Sequence, residues 1–158
     1  MAEQKTNVMR VLDQKKVPYT AHSYPHGEEA VDGVTVAAMT GLDPAAVFKT
    51  LVAQGASKKI YVFVIPVARE LDLKKAAKAA GEKSVAMIHV KEITALTGYV
   101  RGGCSPIGMK KQYTTFYHDT INALETVTVS AGKIGYQVEC SLDGLRRAIS
   151  VACADLIV

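Results

Sequence analysis

The sequence predicts a mixed α/β (α+β) fold, a single compact domain with helices packed around one mixed β-sheet. Three observations carry this. The chain is 49% hydrophobic and 22% charged, the balance of a protein that buries a real core. Strand-like and helix-like runs are interspersed without regular βαβ alternation, which argues against a doubly wound parallel sheet. No repeat, low-complexity stretch or linker divides the 158 residues, so residues 1–158 are expected to form one domain.

The elements follow in order. Residues 5–16 set Val8, Val11, Leu12 and Lys15 at i, i+3, i+4 and i+7, an amphipathic helix that ends before Pro18. YTAHSY, 19–24, reads as a strand, and PHGEEAVDG, 25–33, as a polar turn. Residues 35–41 form a short helix closed by Gly41. DPAA, 43–46, opens a turn with Asp43 as cap and Pro44 at its first position. VFKTLVAQ (47–54) and KIYVFVIP (59–66) are strands joined by the hairpin loop GASK. The second is apolar almost throughout, which predicts burial on both faces.

LDLKKAAKAAG, 71–81, is the strongest helix, with Asp72 near its start and Gly81 at its end. VAMIHV, 85–90, suits strand or helix, and KEITALTG, 91–98, is a short helix ended by Gly98. After the loop GGCSPIGMKK, 102–111, three strands are predicted over 114–119, 126–132 and 135–141. A helix over 141–149 starts from Ser141, and 153–158 is a last strand or tail.

Composition narrows the function classes. The net charge of +4 permits an anionic partner without requiring one. Three cysteines, Cys104, Cys140 and Cys153, form neither a disulfide framework nor a Cys-x-x-Cys pair for zinc or redox work. The N-terminal MAEQKTNVMRVLDQKK has no signal-peptide pattern, and no apolar run approaches a membrane span. A cytoplasmic protein with no membrane partner is expected.

Lys49 is the exception in an apolar strand. Alternation puts Val47, Lys49 and Leu51 on one face and Phe48, Thr50 and Val52 on the other. An ammonium there either holds an anion or an oxyanion, or snorkels from an edge strand to water. In the loop, Gly102 and Gly103 leave the backbone free to turn and let a ligand approach closely, and Pro106 pushes Ser105 towards extended backbone. Such a loop either gathers N–H groups around an oxygen anion or is a plain turn. It is no Walker loop, because no Gly-Lys-Ser/Thr follows.

Cys104 is a nucleophile only with a lowered pKa and a base beside it; otherwise it fills space. His22 and His26 have a four-residue spacing, but Pro25 argues against a helix and no third metal ligand is evident. Tyr24 and Ser130 either line a pocket or pack in a strand and a turn, and Lys133 has the same two readings. Lys74, Lys75, Lys78, Lys110 and Lys111 are wet helix and loop faces, or a stripe for a phosphate backbone. No Ser-His-Asp order and no carboxylate pair can be assembled, so catalysis would lean on backbone dipoles and substrate positioning.

Taken together, YTAHSYPH, GLDPAAVFKTLV, LDLKKAAKAAG, TGYVRGGCSPIGMKK, TVTVSAGKIGYQVEC and the closing helix resemble the YbaK/EbsC family of aminoacyl-tRNA deacylases. That family is related to the editing domain inserted in bacterial prolyl-tRNA synthetases. The resemblance runs in order over nearly the whole chain. It implies a compact domain with a curved mixed sheet, and hydrolysis of a mischarged tRNA ester, typically Cys-tRNA(Pro) and also Cys-tRNA(Cys). It implies Lys49 of the FKT motif as the key catalytic residue. It places Tyr24, Gly102, Gly103, Ser105, Pro106 and Ser130 around the aminoacyl end.

The resemblance also implies that the substrate's own thiol is the nucleophile, which agrees with the missing triad. The position of Cys104 is often aliphatic in that family. No cofactor and no metal are expected. The expected partner is mischarged tRNA(Pro), with prolyl-tRNA synthetase as a recruiter. HGEEAVDGVTVAAMTG departs most from the family pattern, which bears on substrate choice. The alternatives are another target such as Ala-tRNA(Pro), or a binding module that keeps the fold without the reaction.

Overall fold

The computed structural model describes residues 5–24, 33–101 and 103–158. In chain order, α1 spans Asn7–Gln14, β1 Tyr19–Ser23, α2 Gly33–Thr40, β2 Phe48–Gly55 and β3 Ile60–Pro66. Next come α3 Leu73–Ala80, β4 Val85–Met87, α4 Val90–Thr97 and β5 Thr114–His118. The rest are β6 Thr126–Ser130, β7 Tyr136–Ser141, α5 Leu142–Ala148 and β8 Ala152–Ala154.

Local chemistry sets the ends. The Asp72 carboxylate accepts from the N–H groups of Lys74 and Lys75 at 2.9 and 3.1 Å, and Gly81 closes α3 at φ 72°. Such a cap is worth about 1 kcal/mol, and the left-handed φ suits a residue without a Cβ. Asp43 caps the 3-10 turn Pro44–Ala46 through Ala45 N–H. The ambiguous 85–90 run splits into strand β4 and the start of α4. The C-terminal run supplies β8, which joins β5 in parallel.

The single sheet expected from sequence divides into two. One has the order β4-β2-β3-β5-β8, the other β1-β7-β6. The larger is mixed: β2 runs antiparallel to β3 and β4, while β3–β5 and β5–β8 are parallel. Among the described residues the sheets meet at one bridge, Val47 beside Thr128, in parallel. They divide because each has an apolar face to hide. Val127, Val129 and Val138 from one sheet, and Phe48, Val52, Val62 and Val64 from the other, enter the same core. Helix α1 closes it with Val8, Met9 and Leu12, and α5 with Leu145 and Ala148. A flat eight-stranded arrangement would leave one of these faces in water.

The opposite face of the larger sheet packs on α3. Ala53, Tyr61, Phe63 and Ile65 meet Ala76, Ala77 and Leu156 there. Strand β3 is buried along nearly its whole length, as its composition predicts. A small third cluster joins Ala37 of α2 to Val47 and Val67.

Candidate active site

The turn between β6 and β7 is the hub of the site. Ala131 N–H donates to Tyr136 O at 3.1 Å, and Tyr136 N–H to Lys133 O at 3.2 Å. The Ser130 hydroxyl accepts from Gly132 N–H at 3.1 Å, which fixes its position at the end of β6. Tyr24, buried just beyond β1, donates its N–H to Gly135 O at 3.0 Å. Gly103 lies against the same turn. A Cβ on it would stand 3.0 Å from Ile134 N and 3.1 Å from Lys133 C and Cα. Gly103 is not among the residues with positive φ. Its glycine is required by close approach rather than by the turning freedom that the sequence suggested.

The loop around Gly103 is buried and tied down. Gly103 N–H donates to Val100 O at 2.9 Å. Ser105, fully buried, accepts from Ile107 N–H at 3.3 Å, so its hydroxyl shapes the loop itself. Pro106 is buried beside it. The Tyr99 hydroxyl donates to Ile107 O at 2.7 Å and accepts from Asn7 Nδ2 at 3.0 Å. Asn7 Nδ2 also donates to Gly108 O at 2.7 Å, so α1 and the loop are one unit. With Gly103 N–H taken, the next N–H groups are those of Cys104 and Ser105, which donate no bond among the described residues. Gly102 lies outside the described residues.

Lys49 reaches this region through the sheet junction. Strands alternate their side chains, and partners across a bridge share a face. Val47 and Thr128 pair in parallel, and two residues further along each chain stand Lys49 and Ser130. Lys49 therefore shares a continuous face with Ser130, and with Gln137, which pairs with Ser130 on β7. That face lies opposite the main core. Lys49 is half-buried and makes no side-chain hydrogen bond or ion pair among the described residues.

Gln137 escaped the sequence reading. It is 7% exposed, and its Oε1 makes no hydrogen bond among the described residues. A buried amide oxygen without a partner costs about 1–3 kcal/mol, which makes it a candidate acceptor for a ligand's donor; Thr50 Oγ1 and the Tyr117 hydroxyl are likewise unpaired among the described residues. The signal available was register: pairing TVTVS against YQVEC sets Gln137 opposite Ser130.

The nucleophile reading of Cys104 has no support in the geometry. The thiol is buried, and burial pushes its pKa from 9.0 up to about 11. His22 Nε2 lies 2.9 Å from Glu139 Oε1 and is engaged there. His26 lies outside the described residues. Among the described residues no three His, Cys, Asp or Glu side chains gather to hold a metal.

The model of one family, described as an aminoacyl-tRNA editing domain, matches residues 28–148. The chain belongs to the aminoacyl-tRNA editing domain family. The enzyme class expected from the sequence, an aminoacyl-tRNA hydrolase, stands with that membership. A curated member from Enterococcus faecalis (strain ATCC 700802 / V583) bears the name "Putative Cys-tRNA(Pro)/Cys-tRNA(Cys) deacylase EbsC". It is 46% identical over 143 residues, covering 90% of this chain and 87% of its own. Two solved structures share the fold. "Hypothetical protein APE2540" superposes with a TM-score of 0.84 at 21% identity, over 96% of this chain and 99% of its own. "A putative trans-editing enzyme for prolyl tRNA synthetase" does so with a TM-score of 0.82 at 20% identity, over 96% and 95%. The editing-domain fold thus accounts for the mixed sheets. No helix among the described residues is long and apolar enough to cross a membrane.

Proposed function

We propose that the chain is a trans-acting deacylase that removes cysteine from mischarged tRNA(Pro), and also from Cys-tRNA(Cys). The substrate choice is supported by the name of the Enterococcus relative. One observation carries the site: Lys49, a cation with no counter-ion among the described residues, shares a face with Ser130 and the unpaired Gln137 oxygen. That face suits an anionic, hydrogen-bonding ligand such as the aminoacylated terminal nucleotide.

The reaction needs no protein nucleophile. The substrate's thiol attacks its own ester carbonyl carbon. A C–S bond forms, the bond to the ribose oxygen breaks, and the thiol proton ends on that oxygen. The products are free tRNA and a cyclic thiolactone, which water opens to cysteine. Holding thiol and ester together makes the step intramolecular, a gain that reaches effective molarities of about 10⁵–10⁸ M. Lys49 holds the terminal phosphate or the developing oxyanion by charge. The loop that carries Gly103 and Pro106 walls the aminoacyl group. Tyr24 and Ser130 line the other side.

Residues 1–158 act on this reading as one cytoplasmic editing unit. A net charge of only +4 gives weak affinity for tRNA alone, so prolyl-tRNA synthetase is the natural recruiter. The test is a panel of tRNAs charged with cysteine, alanine or serine, treated with wild type and Lys49→Ala. Release of cysteine by wild type alone is the expected result. Full activity in Lys49→Ala removes the role assigned to it, and preferential release of alanine moves the target to Ala-tRNA(Pro).

A further inference from the structure

A cleft of about 380 Å³ opens at the far end of β2, with Gln54, Lys58, Ser84, His89 and Glu92 in its lining. From Lys49 to Gly55 an extended strand covers about 20 Å. The cleft is therefore separate from the site at Lys49. Its rim is made by two loops bonded to each other: Ala56 N–H donates to Ser84 O at 3.0 Å, and Ser57 N–H to Glu82 Oε1 at 3.1 Å. These loops carry Lys58, Lys59 and Lys83, and Lys91 follows His89 at the start of α4.

All four lysines are exposed, and none makes an ion pair among the described residues. Glu82, the carboxylate closest in sequence, is occupied by the hydroxyls of Ser57 and Tyr61, and of the four lysines only Lys59 lies near enough to help hold it ionised. Glu92 is the other carboxylate at the cleft. Lys58 is held at φ 75° in a turn fixed by Lys58 N–H to Gly55 O and Gly55 N–H to Lys59 O, both 2.9 Å. A side chain seldom accepts that conformation, so the turn presents this ammonium at a small local cost.

We propose that this cleft and its lysine rim dock the phosphate backbone of the tRNA whose aminoacyl end enters at Lys49. The proposal rests on the deacylase reading above. Compact ammonium groups on a wet rim suit phosphate oxygens, and His89 and Ser84 add hydrogen-bond donors. A separation of about 20 Å puts the contact several nucleotides inward from the ester. Backbone contacts of this kind position the RNA without reading bases.

The experiment measures binding of uncharged tRNA(Pro) transcript across a salt series, and single-turnover release of cysteine at saturating protein. Lys58→Glu/Lys83→Glu is compared with wild type and with Arg10→Glu/Lys15→Glu, a charge-matched change on α1 and its C-terminal cap. The cleft variant should bind about tenfold more weakly, with the slope of log affinity against log salt reduced by about 1.5. Its release rate at saturation should stay within about twofold of wild type, and the α1 variant should bind as wild type does. Unchanged affinity and slope in the cleft variant overturn the proposal, as does equal weakening by both variants. So does wild-type protein that binds no tRNA. Because uncharged tRNA is the ligand, a wild type that hydrolyses nothing refutes the deacylase reading while the binding arm still reports on this surface.

Discussion

Val47 and Thr128 form a parallel bridge between the two sheets, and that bridge sets Lys49 on the face that carries Ser130. Sequence alternation sets Lys49 on one face with Val47 and Leu51, but only the fold says that this face lies opposite the main core and what else is there.

Lys49→Ala should lower single-turnover release of cysteine by about 10²–10³-fold, the usual effect of removing a charged stabiliser. Its thermal midpoint should hardly move, since the side chain makes no bond among the described residues. A large loss of stability would recast Lys49 as a structural residue.

Gln137→Met separates binding from packing. If Oε1 waits for the substrate, the apolar replacement should lower kcat/KM about tenfold while stability stays level or rises, because a buried unpaired acceptor is removed. Denaturant unfolding and deacylation kinetics on the same preparation read both signs. Lost stability with unchanged kinetics would leave Gln137 a packing residue.

Gly103→Ala should destabilise by about 1–3 kcal/mol, the range for overpacking. The new methyl would press on the backbone of Lys133 and Ile134, which has no flexible end to yield. Chemical denaturation measures this. Activity should fall as well, since the same turn holds Ser130 and Tyr24.

Cys104→Ser should retain release activity within a few-fold. Alkylation of Cys104 in the folded protein should be slow at neutral pH and rise only as pH approaches about 11. Burial favours the neutral thiol, so the folded pKa lies above 9.0. The stabilisation is complete below pH 9.0 and is lost as pH rises towards about 11. Cys140 is shifted in the same direction by burial, also to about 11. Stability measured by denaturant should therefore decline across that alkaline window, and less so in Cys104→Ser.

The parts of the molecule legible in its sequence are those fixed by neighbours in the chain. Helix α3 is announced by Asp72 and Gly81, and α1 by Val8 and Leu12, which are both fully buried. Lys49 stands out because a charge interrupts an apolar alternation. Gln137 does not, because glutamine in QVEC is an ordinary polar half of a strand until β6 and the sheet junction surround it. The division into two sheets turns on one bridge between residues 81 positions apart in sequence, Val47 and Thr128, which no local pattern encodes. Gly103 was legible as a glycine that matters, but what approaches it closely is the backbone of Lys133 and Ile134, which only the fold brings there.

Strand β1, which leads into Tyr24, pairs among the described residues only with β7, more than a hundred residues later in the chain. Such distant pairing is slow to form. On the ribosome, a chain emerging through β5 already carries Lys49 in its hairpin but has neither Ser130 nor a seat for Tyr24. The growing polypeptide thus holds half of the proposed pocket, and editing competence should arrive late and all at once, when the last antiparallel hairpin closes.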